Sequence, residues 1–161
     1  MAFEGKRNPR KWGKDGFSKP KKEFKEELLA IDRVTRVTSG GRQLRFRAVM
    51  VIWDGKGRVG LGTGKSWEVV DAIAKAIADA KKRLITVKME NGTVPYQLTA
   101  KFKAATIMVH PASEGTGIIA GGSARKVLAV AGYKDILAKR YGSSNLLNNA
   151  KATMKALTSF K

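Results

Sequence analysis

The sequence contains no cysteine. Disulfides and thiolate-bound metals are therefore excluded, and the chain suits a reducing compartment. Histidine occurs once, at His110, so no imidazole cluster can hold zinc. Acidic residues number 13 against 32 Lys and Arg, which leaves few carboxylates for acid–base or metal chemistry. The longest apolar run, AVMVIW, falls short of the roughly 20 residues that a membrane helix needs. No apolar signal core opens the chain, so it is expected to remain in the cytosol.

What the chain has in excess is positive charge. Its 161 residues carry a net +19. Residues 1–27, 28–94 and 95–161 carry +4, +7 and +8, so the excess is not confined to a tail. Such a chain repels itself unless a polyanion neutralises it, and nucleic acid is the default polyanion. A membrane-surface protein would concentrate its charge on one amphipathic helix or tail, and that pattern is absent. The length suits one domain or two very small ones.

Residues 1–22 are rich in Lys, Arg, Gly and Pro, with Phe3, Trp12 and Phe17 interspersed and no periodicity. They read as a basic flexible arm, either a solubilising tail or a segment that orders on RNA. Residues 21–30 read as a short helix with Phe24 and Leu28 on one face. Residues 31–38 read as a strand, and Ser39-Gly40-Gly41-Arg42 as a hairpin turn. In residues 44–53, Leu44, Phe46, Ala48, Met50 and Ile52 face one way. Arg45, Arg47, Val49, Val51 and Trp53 face the other. Asp54-Gly55-Lys56-Gly57 forms a second hairpin turn.

Residues 55–68, GKGRVGLGTGKSWE, contain two nucleotide-binding look-alikes. GKGRVG satisfies G-x-G-x-x-G, and GTGKS ends like a P-loop. The P-loop spacing requires glycine at position 59, which is Val59. The dinucleotide fingerprint requires a helix to open inside the glycine run, whereas Val59, Leu61 and Thr63 continue a strand. Gly60, Gly62 and Gly64 then share the opposite face, a bare strip where RNA backbone or another protein segment can approach closely. Ser66 is the expected N-cap of a following helix, with Val70, Ile73, Ile77, Ala80 and Leu84 inward. Lys81, Lys82 and Arg83 close it, favoured by the helix dipole or by RNA. The first half thus reads α-β-β-β-α, the order of a double-stranded-RNA-binding domain.

Asn91-Gly92 and Pro95 mark a boundary between a first domain at 23–88 and a second at 95–161. In the second, residues 96–103 alternate with Leu98, Ala100 and Phe102 inward, and residues 105–110 read as a buried strand. A glycine-rich loop carrying Gly115, Gly117, Gly121 and Gly122 leads into a helix from Ser123 to Gly132. Residues 134–140 read as a short helical turn. Ser143 or Ser144 is the expected cap of a last helix, with Leu146, Leu147, Ala150, Met154 and Leu157 inward.

The string PASEGTGIIAGGSARKVLAVAG, followed by DILAKRYGSSN, closely resembles the signature of the S-five protein family of the bacterial small ribosomal subunit. RVT, SGGR and DGKGRVGLGTGKSWEV in the first half match too, so the resemblance covers roughly residues 24–158. It implies an α+β protein of two domains, the first like a double-stranded-RNA-binding domain and the second with a left-handed βαβ crossover. It also implies binding to small-subunit rRNA and contact with the neighbouring proteins S-four and S-eight. A place beside the channel by which mRNA enters, and a role in translational accuracy and subunit assembly, follow from the same likeness. The turn Ser39, Gly40 and Gly41 matches the family loop near the spectinomycin site, with Ser39 standing where many relatives carry lysine.

The candidate RNA contacts comprise Arg36, Arg42, Arg45 and Arg47 with the turn Ser39, Gly40 and Gly41. Lys56 and Arg58 flank the second turn, and Gly60, Gly62 and Lys65 follow on the glycine strand. Lys101, Arg125 and Lys126 complete the set. No residue is assigned to catalysis, a metal, a cofactor or a small-molecule substrate. One rival is a kinase, because the loop 115–124 resembles the phosphate loop of small-molecule kinases, yet only Glu114, Asp135 and His110 could serve its chemistry. The other is a free RNA-binding regulator or rRNA maturation factor.

Overall fold

Strand β2 (Gly41–Trp53) organises the first half of the computed structural model, which describes residues 24–160. It is flanked by β1 (Lys25–Thr38) and β3 (Arg58–Ser66), and β4 (Leu84–Thr86) adds to β3. The sheet is antiparallel throughout, in the order β1-β2-β3-β4. Helix α1 (Val69–Lys81) lies on one face of it. The second sheet has the order β5-β6-β8-β7, from β5 (Leu98–Phe102), β6 (Ala105–Pro111), β7 (Ile118–Ile119) and β8 (Ile136–Gly142). Helix α2 (Gly122–Ala131) joins β7 to its parallel neighbour β8, and α3 (Leu146–Ser159) ends the described chain. The protein is α+β with two sheets, as expected. The basic arm at 1–22 lies outside the described residues.

Two expected helical segments are strands. Lys25 through Ala30 belong to β1, not to a helix over residues 21–30. Lys, Glu, Leu and Ala favour helix locally, but β2 offers them a continuous ladder, and tertiary pairing overrides propensity. A bulge between Leu28 and Ala30 leaves Leu29 out of the register. The described first half therefore runs β-β-β-α-β. Residues 136–140 likewise form β8, not a helical turn, because β8 pairs with β6 on one edge and β7 on the other.

Helix α1 also departs from expectation. It begins at Val69 with Glu68 as N-cap, while Ser66 ends β3 and its buried hydroxyl bonds Asp71. Its buried stripe is Ala72, Ala76 and Ala80, whereas Val70 is 74% exposed and Leu84 belongs to β4. The glycine row explains the shift. A Cβ built on Gly60, Gly62 or Gly64 would collide with the carbonyl oxygens of Ala80, Ala76 and Ala72 respectively. Four helical residues advance about 6 Å, and two strand residues about 6.6 Å. Alanine every fourth position therefore keeps step with glycine every second position, and helix and sheet backbones nearly touch. The strip that Gly60 and Gly62 present is filled by the chain's own α1, so neither glycine is open to RNA.

The opposite face of the first sheet, with Val49, Val51, Val59 and Leu61, shares one buried core with the second half. That core takes in Val127 and Leu128 of α2, Leu157 of α3, and Ile107 and Val109 of β6. The layers run α1, first sheet, α2 with α3, second sheet. Asn145, rather than Ser143 or Ser144, caps α3 by accepting the Asn148 N–H at 3.2 Å. Leu146 is exposed, contrary to expectation, while Ala150, Met154 and Leu157 are buried.

Candidate nucleic-acid interface

β3 stops pairing where Ser66 meets Phe46, yet β1 and β2 continue together. Val34/Arg45, Thr35/Leu44, Arg36/Gln43, Val37/Arg42 and Thr38/Gly41 form a two-stranded ribbon beyond the sheet. At one residue pair per strand step it protrudes by about 16 Å. Its length suits a strand pair with almost nothing to bury, for every residue from Thr35 to Arg45 is exposed. Ser39 and Gly40 make the tip, and Gly41 has φ +127°, a value that β-branched residues resist.

Cross-strand partners share a face, so the register sorts the candidates. Arg36, Arg45, Arg47 and Lys65 lie on one face, and Arg42 lies on the other beside Val37. Arg47 is already engaged, donating to Asp32 Oδ2 from Nε at 3.2 Å and from Nη2 at 2.7 Å. Arg36 and Lys65 line an open hollow of about 250 Å³ together with Val34, Thr35, Gln43 and Arg45. Arg36, Gln43 and Lys65 have no side-chain hydrogen bond or ion pair among the described residues. This end of the sheet thus concentrates uncompensated cations.

The remaining candidates are dispersed. Lys56 sits in the turn at the opposite end of β2, and Arg58 opens β3 beside it. Asp54 there accepts the Lys56 and Arg58 backbone N–H groups and the Arg58 guanidinium. Burial acts to raise the Asp54 pKa, but these bonds outweigh it and hold the carboxyl below its usual range. Arg58 thereby serves the turn. Lys101 lies on the outer face of the second sheet, beside Thr106. Lys126 is tied across the two halves: its ammonium donates to the Leu28 carbonyl at 2.7 Å and lies 3.9 Å from Glu27. That clasp makes Lys126 a structural cation. Arg125 borders a cleft of about 360 Å³ with Gly121, Gly122, Lys139 and Arg140. Lys139 and Arg140 escaped the sequence reading because a helical turn was expected there.

The glycine loop serves the fold. Gly115 and Gly117 adopt φ +87° and +74°. Asp135 accepts the Gly117 N–H at 2.8 Å, and the Gly117 carbonyl accepts the Ile136 N–H at 3.1 Å. Asp135 thus pins the loop to β8. His110 is exposed, with Nδ1 2.6 Å from the Pro111 carbonyl oxygen. Sequence reading also missed Trp67, whose indole carries the Arg45 guanidinium 4.8 Å from its centroid. The available signal was parity, since Trp67 continues the alternation of Lys65 off the end of β3.

Residues 24–88 match the family described as "Ribosomal protein S5, N-terminal domain", and residues 100–161 match "Ribosomal protein S5, C-terminal domain". The chain belongs to the ribosomal protein S5 family. Among similar curated proteins is the small ribosomal subunit protein uS5 of Campylobacter jejuni subsp. jejuni serotype O:23/36 (strain 81-176). It is 48% identical over 141 residues, spanning 88% of this chain and 96% of the relative. The uS5 proteins of Campylobacter jejuni strains 81116 and RM1221 match to the same extent. Membership makes the chain a ribosomal protein of the small subunit with RNA-binding S5 domains, and not an enzyme. The glycine run that imitates a nucleotide motif is the seat of α1.

Proposed function

We propose that the chain anchors itself in small-subunit rRNA chiefly through the β1–β2 ribbon, as a structural constituent of the subunit. The observation that carries this reading is the ribbon itself, a basic two-stranded protrusion with no core of its own. A ribbon built that way has no packing role among the described residues, and its free cations suit phosphate. In the same reading the domains at 23–88 and 95–161 both meet rRNA, with Lys56, Lys101 and Arg125 as secondary phosphate contacts. The chain contacts S-four and S-eight, lies beside the channel by which mRNA enters, and supports decoding accuracy and assembly. The turn Ser39, Gly40 and Gly41 lies near the spectinomycin site, so Gly41→Val is expected to alter the drug response.

The test is competition between wild type and the double variant Arg36→Ala, Arg42→Ala for incorporation into small subunits, alongside titration of an rRNA fragment. Contact with about 6–10 phosphates weakens binding roughly 10³–10⁵-fold between 50 and 200 mM salt. The double variant is expected to lose incorporation at moderate salt while melting like wild type. Equal incorporation of variant and wild type would remove the ribbon from the interface. Residue-resolved crosslinking on assembled subunits tests the two protein neighbours.

A further inference from the structure

Trp67 is 57% exposed, a costly place for the largest apolar side chain unless something covers it. It stands where β3 runs out, beside the base of the ribbon. Arg45 lies over its ring at 4.8 Å, within the roughly 6 Å reach of a cation–π contact. Arg45 also lines the hollow of about 250 Å³ that Arg36, Gln43 and Lys65 border. One continuous surface therefore offers an aromatic plane, a guanidinium plane and, without a partner among the described residues, two cations and an amide. Among the described residues no carboxylate lines that hollow, and the nearby Asp32 is occupied by Arg47.

We infer that Trp67 and Arg45 form a stacking platform for an unpaired base of RNA, with Arg36 and Lys65 holding the phosphates that flank it. The inference rests on the rRNA-binding reading and specifies the kind of RNA that this end of the sheet takes. The physical ground is the shape of the ligand. A base inside a duplex already has both faces stacked, so an exposed indole can engage only a base splayed out of a helix, as in a loop, bulge or single strand. Phosphates follow each other along a strand at a spacing that cations on either side of a stacked base can meet. Gln43 supplies a donor and an acceptor toward the base edge. An acidic peptide would satisfy the cations but would leave the indole uncovered.

The experiment uses the full chain at fixed moderate salt, with oligoadenylate and an RNA duplex as separate probes. Trp67→Ala is expected to weaken oligoadenylate binding about tenfold while leaving duplex binding unchanged, since loss of one base–aromatic stack is worth roughly that much. Trp67→Phe is expected to restore most of the loss. The dependence of log K on log salt is expected to keep its slope in Trp67→Ala and to flatten by about 0.7 in Lys65→Ala, which removes one single-strand phosphate contact. Unchanged oligoadenylate binding by Trp67→Ala overturns the platform. So does an equal loss on both probes, which would mark a structural role. A polyglutamate peptide that competes more strongly through Trp67 than oligoadenylate does would assign the surface to protein instead. Failure of the wild type to bind either RNA would refute the rRNA reading itself, and is thereby distinguishable.

Discussion

Gly62 faces α1 so closely that its missing Cβ is a structural requirement. A methyl there would meet the Ala76 carbonyl oxygen and the Ala80 backbone. Backbone cannot rotate aside as a side chain can, so Gly62→Ala must push α1 off the sheet. Overpacking of this sort costs about 1–3 kcal/mol. Thermal melting is expected to fall and subunit incorporation to fall with it. A variant that melts normally yet fails to incorporate would return the glycine row to the interface. Asp54 supports a second prediction. Its folded pKa lies below the ordinary value of 3.8, so its contribution to stability is present above that value and lost as pH falls through the folded one. Asp54→Asn is expected to destabilise the chain by about 1 kcal/mol at neutral pH. The gap to wild type should close below roughly pH 4, measured by denaturant midpoints across the acid range.

Among the elements, α3 depends most on its cap. It has no acidic residue in its first turn and no basic residue in its last, so charge does little for it. The Asn145 side chain accepts the Asn148 N–H, and the Asn149 amide donates to the Ser143 and Asn145 carbonyls at 2.9 Å. Asn145→Ala is expected to cost about 1 kcal/mol. Far-ultraviolet dichroism and the melting midpoint check it; an unchanged midpoint would show that packing of Ala150 and Leu157 alone fixes the helix. The ribbon is the opposite kind of element. It needs no core, only ladder bonds and a turn that tolerates Gly41, which is why the β-branched and basic run RVTRVT facing GRQLR suffices to specify it.

At the scale of the molecule, the shared core joins the two halves. Val51 is fully buried between the first sheet and the layer of α2 and α3. The Lys126–Leu28 clasp and the bond from Tyr133 Oη to the Lys88 carbonyl at 2.8 Å cross the same seam. Burial pushes the Tyr133 phenol well up, so it remains a donor at physiological pH. One cooperative unfolding transition is therefore expected. Val51→Ala should remove about 2 kcal/mol, and amide exchange should quicken by a similar factor, about thirtyfold, in β2 and in β6. Faster exchange in β2 alone would show two independent halves.

Alternation is legible in a sequence because the strand period is fixed by covalent geometry. Residues 44–53 and 58–64 therefore declared their faces, and Asn91-Gly92, Gly40-Gly41 and Gly55 declared their turns. Charge, being a sum over residues, was also complete in the sequence and pointed to a polyanion before any fold was known. What covers a face is a different matter, because it depends on elements distant along the chain. Only packing decided that α1 fills the glycine strip, that Ala72, Ala76 and Ala80 turn inward in place of Val70, and that Lys126 clasps β1. The same holds for Lys25 to Ala30 and for β8. Their residues favour helix weakly and locally, while a neighbouring strand offers a hydrogen bond at nearly every step. The sequence determined a large excess of cations suited to meet a polyanion. The tertiary structure decided which of those cations remain free to do so, since a charge is compensated only by groups that folding brings within reach.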